Sequence, residues 1–246
     1  MSPEPVWDFF GRTDSGCVRA NNEDSFLIDK ALGLLIVADG MGGYDFGEVA
    51  SALAVRAIRD AAASAARSRN LEGFIQSANV LIREKARDYP GHAGMGTTVV
   101  AVLADERSLT VGHVGDSRCY LFRRGILSRL TQDHSLAQKS QGLRHVLTRA
   151  VGADEMVQVD VSRRPVRPGD VLLLATDGLT TMVGDEEIGR ILRENPSVSG
   201  AAAALVERAR RAGGSDNITV ICGRLGEFGP QGLRNRATAF FRRFQR

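Results

Sequence analysis

The sequence predicts an α+β protein, a four-layer αββα sandwich with two central antiparallel sheets flanked by helix pairs. Three observations carry this reading. Short apolar runs through the middle of the chain are joined by tight turns, and two pairs of helical segments stand apart from them. The regular strand–helix–strand alternation of a doubly wound parallel sheet is missing. Two sheets with helices outside would bury both sheet faces and every apolar helix face, and 246 residues are enough for such a core.

Strands are predicted over 25–29 and 33–38. The second, LLIVAD, is a continuous apolar run ending in a carboxylate, as a buried strand would read. Residues 47–68 are rich in alanine, with Ala50, Leu53, Ala54, Ala57, Ile58 and Ala61 at helical spacing. Residues 73–88 repeat the pattern with Phe74, Ala78, Leu81 and Ile82 before Pro90-Gly91 stops it. The period then changes. Branched runs over 97–103, 108–114, 118–123 and 126–130, separated by turn pairs such as Arg124-Gly125, predict an antiparallel meander. Strands over 157–162 and 170–175, helices over 185–193 and 199–212, and a last strand over 218–224 complete the domain, assigned to residues 1–225. Residues 226–246 read as a linker and a short basic amphipathic tail. Leu233, Ala237, Phe240, Phe241 and Phe244 recur at helical spacing among arginines, a pattern suited to docking on the domain or to peripheral membrane or partner contact.

Composition narrows the function. A net charge of +3 is too small to argue for nucleic acid. Cys17, Cys119 and Cys222 are odd in number and form no CxxC pair, which argues against a disulfide framework or a cysteine zinc site and makes a reducing compartment the default. The N-terminal stretch lacks the order of a signal peptide, and no run of about 18 apolar residues occurs. The expectation is a cytoplasmic protein, working as a monomer.

The chemistry gathers where strands stop. Glu23 and Asp24 precede one strand, Asp39 ends LLIVAD, Asp116 follows HVG, Asp177 ends LLLAT, and Asp216 precedes NITVIC. An aspartate at the end of an apolar strand faces a cleft, where its charge is costly unless paired or metal-bound. Singly, each is an ordinary turn residue. Together they point to a multi-carboxylate site, and hard oxygen donors without a His/Cys set favour Mg²⁺ or Mn²⁺ over Zn²⁺. Arginine is plentiful, whereas Lys30, Lys85 and Lys139 are the only lysines, so pairing with arginine is the competing explanation.

Eight stretches resemble, in order, the motifs of the metal-dependent protein phosphatase family, the protein phosphatase 2C type in its compact bacterial form. They are DSGCVRANNEDS (14–25), VADGMGG (37–43), GTT (96–98), VGDSR (114–118), LTQDHS (130–135), LTRAVG (147–152), LLLATDGL (172–179) and SDNITVI (215–221), together covering about residues 14–225. The resemblance implies hydrolysis of phosphoserine and phosphothreonine in phosphorylated proteins, opposing a serine/threonine kinase. It implies two Mn²⁺ or Mg²⁺ ions and a third, weaker one. Asp39 would bridge the pair, with Asp177 and Asp216 on the first ion and the Gly40 carbonyl and Glu23 on the second. Asp24 would orient metal-bound water, Asp116 would join Asp177 at the third ion, and Arg19 would grip the phosphate. Two ions about 3.5–4 Å apart hold a water, lower its pKa and let it attack phosphorus in line.

Departures from the family pattern carry expectations of their own. Met41 stands where many eukaryotic relatives have a histidine that protonates the leaving alkoxide, and a thioether donates no proton. His113 and His134 are expected to be structural. Only residues 136–144 lie where relatives carry a longer helical flap, which predicts a more open cleft with altered selectivity. Tyr44 is expected on its rim. Two rivals are weighed: a catalytically inactive phosphatase-like binding module, disfavoured because every expected acid is present, and another two-metal hydrolase such as a nuclease or pyrophosphatase, disfavoured by the motif order.

Overall fold

The computed structural model describes residues 6–42, 46–65, 68–88, 94–136 and 146–226. The elements are β1 (Trp7–Asp14), β2 (Asp24–Asp29), β3 (Leu34–Met41), α1 (Phe46–Ser64), α2 (Leu71–Asp88), β4 (Gly96–Thr97), β5 (Val99–Ala104), β6 (Ser108–Val114), β7 (Arg118–Arg123), β8 (Ile126–Arg129), β9 (Asp160–Pro165), β10 (Val171–Ala175), α3 (Asp177–Thr180), α4 (Asp185–Glu194), α5 (Val198–Arg211) and β11 (Ile218–Leu225). One sheet has the order β1-β11-β10-β7-β8; the other runs β2-β3-β5-β6-β9, with β4 paired to β3. All the pairings are antiparallel.

Strand alternation builds the four layers. In β3, Leu34, Ile36 and Ala38 pack with Ala50, Ala54, Ile58, Phe74, Ile75 and Ile82 of α1 and α2. Leu35 and Val37 face the other way, against Leu172, Leu174 and Ile221 of the second sheet. In β10, Val171, Leu173 and Ala175 join Ile188, Leu192, Ala202 and Leu205 of α4 and α5. Both central strands are therefore covered on both faces, which is why residues 34–38 and 171–175 are continuously apolar although their sheets are antiparallel. Helix α5 starts where the Ser197 hydroxyl accepts the Gly200 N–H at 3.1 Å. The predicted αββα sandwich is the observed architecture.

The differences have local causes. The edge strand β1 was not predicted: only Phe9 in it is buried, so it carries no apolar alternation. Its Gly11 is demanded by tertiary packing, because a Cβ there would collide with the Phe26 ring of the other sheet. The strand predicted over 157–162 forms over Asp160–Pro165 instead, since its register is set by pairing with β6, Ser108 opposite Pro165 and His113 opposite Asp160. Helix α1 ends at Ser64, short of the predicted 68. The short segment 136–144, where relatives carry a longer flap, lies outside the described residues except for Leu136, and Tyr44 and residues 227–246 lie wholly outside them. No helix among the described residues is long and apolar enough to cross a membrane.

Candidate active site

The strand ends converge at one edge of the sandwich. Antiparallel pairing sets Asp24, the first residue of β2, opposite Asp39, near the end of β3. The Gly40 N–H donates to the Glu23 carbonyl at 3.2 Å. Gly40 is fixed by close approach, for a Cβ would run into the Gly47 backbone and the Glu23 carbonyl. Asp116 follows β6, Asp177 opens α3 at the end of β10, and Asp216 precedes β11. A cleft of about 740 Å³ is lined by Arg19, Glu23, Asp39, Gly40, Asp116, Asp177 and Asp216. Seven of the eight predicted residues thus face one space; the eighth, Asp24, is buried behind it.

The backbone under Asp39 is clamped. Its N–H donates to the Thr98 hydroxyl at 3.0 Å, and its carbonyl accepts from the Thr97 hydroxyl at 2.8 Å and the Thr98 N–H at 2.9 Å. The Thr98 hydroxyl also bonds that of Ser117 at 2.7 Å, next to Asp116. Across the cleft, Asn217 accepts the Glu23 N–H at 2.8 Å and donates to the carbonyls of Asn21 at 2.8 Å and Ser15 at 3.1 Å. Asn217 therefore ties the segment bearing Arg19 and Glu23 to the start of β11. Thr97, Thr98, Ser117 and Asn217 were all inside matched motifs but were not singled out in the sequence, because an uncharged side chain bonding backbone has no spacing signature.

Electrostatically the cluster is crowded with like charge. Burial, then the charges of Asp24, Asp177, Asp116 and Asp216, push the Asp39 carboxyl well above the usual range. Burial, together with Asp177 and Asp216, raises Asp24 to about 7 against hydrogen bonds from Thr219 and Thr176. Burial, then Asp177 and Asp133, raises Asp116 to about 7. Among the described residues, no arginine or lysine is bonded to Asp24, Asp39 or Asp116. The nearby Arg118 is taken by Asp133, at 3.0 Å from Nε and 2.8 Å from Nη2. Arg19 reaches the cluster, giving Nη2 to Asp216 Oδ2 at 2.8 Å, and that bond raises its own pKa. Asp24 Oδ1 is buried with no hydrogen-bond partner. An all-oxygen donor set, crowded with like charge and holding an orphaned acceptor, fits hard divalent cations.

A second polar cluster has ligand spacing without that character. His113, His134 and Asp160 hold donor atoms within 4.8 Å of one another. The Gly115 N–H donates to His134 Nδ1 at 3.2 Å, and Nε2 faces Asp160 Oδ2 at 3.3 Å and Arg149 Nη1 at 3.1 Å. Arg149 donates Nη1 to Asp160 Oδ1 at 2.9 Å. The guanidinium supplies the positive charge a metal would bring. His113 Nε2 lies 2.8 Å from the Gln132 carbonyl, and burial lowers the pKa of both histidines. Neither lines the catalytic cleft, in keeping with a structural role. Met41 does line it, with no proton to give.

A carboxylate centre made for divalent cations, bordered by an arginine made for an anion, defines a metal-dependent enzyme acting on an anionic substrate. The chain matches the family described as Protein phosphatase 2C over residues 18–218. It is 37% identical over 233 residues to the serine/threonine phosphatase stp of Listeria monocytogenes serovar 1/2a, covering 85% of this chain and 92% of that protein. Its fold is similar to the crystal structure of the Mycobacterium tuberculosis serine/threonine phosphatase PstP/Ppp, with TM-score 0.83 and 36% identity, covering 90% of this chain and 100% of that one. A structure of the catalytic domain of PstP in complex with two manganese ions matches with TM-score 0.81 and 36% identity, over 91% of this chain and 100% of that one. The chain belongs to the protein phosphatase 2C family.

Proposed function

We propose that the cleft hydrolyses phosphoserine and phosphothreonine in other proteins, with two Mn²⁺ or Mg²⁺ ions and the option of a third. The observation that carries this is the group of carboxylates crowded around Asp39, of which Asp24, Asp39 and Asp116 have no bonded arginine or lysine among the described residues. The chain is a metal-dependent protein-serine/threonine phosphatase. Asp39 would be shared by both ions, Asp177 and Asp216 would complete one site, and Glu23 with the Gly40 carbonyl would complete the other. Asp116 and Asp177 would serve the third, and Asp24 would orient water from behind. When bound, the ions supply an activated water nucleophile and offset charge building on the phosphoryl group.

The chain's own residues do the rest. Arg19, exposed on the cleft wall and held by one nitrogen to Asp216, presents its remaining N–H groups to two oxygens of the incoming phosphate. Its pairing with Asp216 sets the guanidinium beside the acids without filling the space between them. Thr97 and Thr98 hold the Asp39 backbone so that its carboxylate enters the cleft in one orientation. The phosphorylated partners would be a serine/threonine kinase and its targets, met in the cytoplasm by a monomer. Residues 1–225 would be the catalytic domain and 226–246 a basic arm for peripheral contacts.

The test is Mn²⁺-dependent release of phosphate from a phosphothreonine peptide, with Asp39→Asn as control. Wild type should turn over and the variant should fall to the uncatalysed background. An inactive, correctly folded wild type would instead favour a binding module, and turnover of DNA or pyrophosphate alone would favour another hydrolase.

A further inference from the structure

Thr176 joins β10 to α3 and is fully buried. It occupies the N-cap position of that short helix, yet its side chain makes no capping hydrogen bond. A threonine at an N-cap ordinarily accepts a backbone N–H of the first turn, so this hydroxyl is committed elsewhere. It accepts the Thr219 N–H at 3.0 Å. Its own proton then has two candidate acceptors, Asp24 Oδ2 at 2.9 Å and the Thr219 carbonyl at 3.5 Å. The Thr219 carbonyl already receives the Thr176 N–H at 3.0 Å, and the shorter contact is to a carboxylate, so the proton goes to Asp24. That bond spans 152 residues and joins the end of a strand in one sheet to the start of a strand in the other.

Anchoring Oδ2 has a consequence for the other oxygen. Asp24 Oδ1 is buried and has no partner, and the charges around it are those of Asp39, Asp177 and Asp216. Like charges cannot satisfy it; a cation or the water of a cation can. We propose that Thr176 is a positioning residue of the metal centre: its hydroxyl clamps Asp24 Oδ2 so that Oδ1 is presented to the divalent ions. This rests on the two-ion reading above. A metal centre needs such outer partners because a freely rotating carboxylate would present either oxygen.

The measurement is Mn²⁺ binding to the full chain by titration calorimetry, on wild type, Thr176→Val and Thr176→Ser, each checked for folding by circular dichroism in EDTA. Valine keeps the shape and removes the proton, and should weaken Mn²⁺ binding about 10- to 100-fold. Serine keeps the proton and should bind as wild type does. In an Asp24→Asn background the valine substitution should add no further loss, since the effect runs through Asp24. Undiminished Mn²⁺ affinity in Thr176→Val, or an equal loss with and without Asp24, would overturn the positioning role while leaving the two-ion reading intact. Absence of Mn²⁺ binding by folded wild type would remove the two-ion reading and this inference together.

Discussion

Asp170 and Asp24 are both buried aspartates flanking a strand, and the fold treats them oppositely. Asp170 receives a fork from Arg123, Nε at 2.7 Å and Nη2 at 2.6 Å, and the Arg167 N–H at 2.8 Å. It fastens the turn before β10 to β7. Asp24 receives the Thr176 proton on Oδ2, has no partner on Oδ1, and feels the repulsion of its neighbours. A carboxylate whose counter-charge is a side chain completes the fold. One whose counter-charge is missing is held for something the chain does not encode. The Arg149–Asp160–His134 cluster belongs with Asp170 by this criterion, although its spacing alone suggests a metal.

The contrast can be tested at several points. The largest effect is on turnover: Asp39→Asn should abolish Mn²⁺-dependent hydrolysis, whereas Asp170→Asn should retain wild-type kcat once folded, as steady-state kinetics would show. Stability should rank the other way. Removing the charge of Asp170 leaves Arg123 half-paired and should cost about 2–3 kcal/mol in urea unfolding, below the full value for a buried pair because Arg123 is partly exposed. Mn²⁺ affinity should not move; if it fell as far as in Thr176→Val, the division into two kinds of carboxylate would be lost. Asp24→Asn should do the reverse. In EDTA it relieves like-charge repulsion and should raise the Tm by about 2–4 °C, while the further gain on adding Mn²⁺ shrinks. A lower Tm in EDTA would mean that Asp24 is stabilising without metal.

The smallest effect is a pH dependence. His113 and His134 have folded pKa values lowered by burial, stacked on each other and faced by Asp160, Arg149 and, for His113, Asp133. A lowered histidine pKa means that folding favours the neutral ring. The stability linked to it is full above about 6.5, the unfolded value, and is lost as pH falls through the lower folded value. The stability difference between wild type and His134→Gln should therefore narrow from pH 7 to pH 5 in urea unfolding series. A constant difference would show that His134 does not titrate with unfolding.

Much of this was legible along the chain. LLIVAD and LLLAT each read as buried strands ending at an acid, and eight ordered motifs brought seven named residues to one cleft and Asp24 behind it. The edge strand β1 escaped because a half-exposed strand with a glycine inside it has no period to detect. Thr176 and Asn217 escaped for a different reason: their partners, Asp24 and the 15–23 segment, are remote in sequence.

The sequence by itself determined which groups are available: oxygen donors at strand ends, one arginine before them, and the periodicities that sort residues to the faces of sheets and helices. It left open whether the abundant arginines neutralise those acids. Only the tertiary structure decided that Arg118 goes to Asp133, Arg123 to Asp170 and Arg149 to Asp160, leaving Asp24, Asp39 and Asp116 with no bonded arginine or lysine among the described residues. The physical reason is that charge pairing depends on distance through space and on exposure to water, and neither is a property of position along the chain.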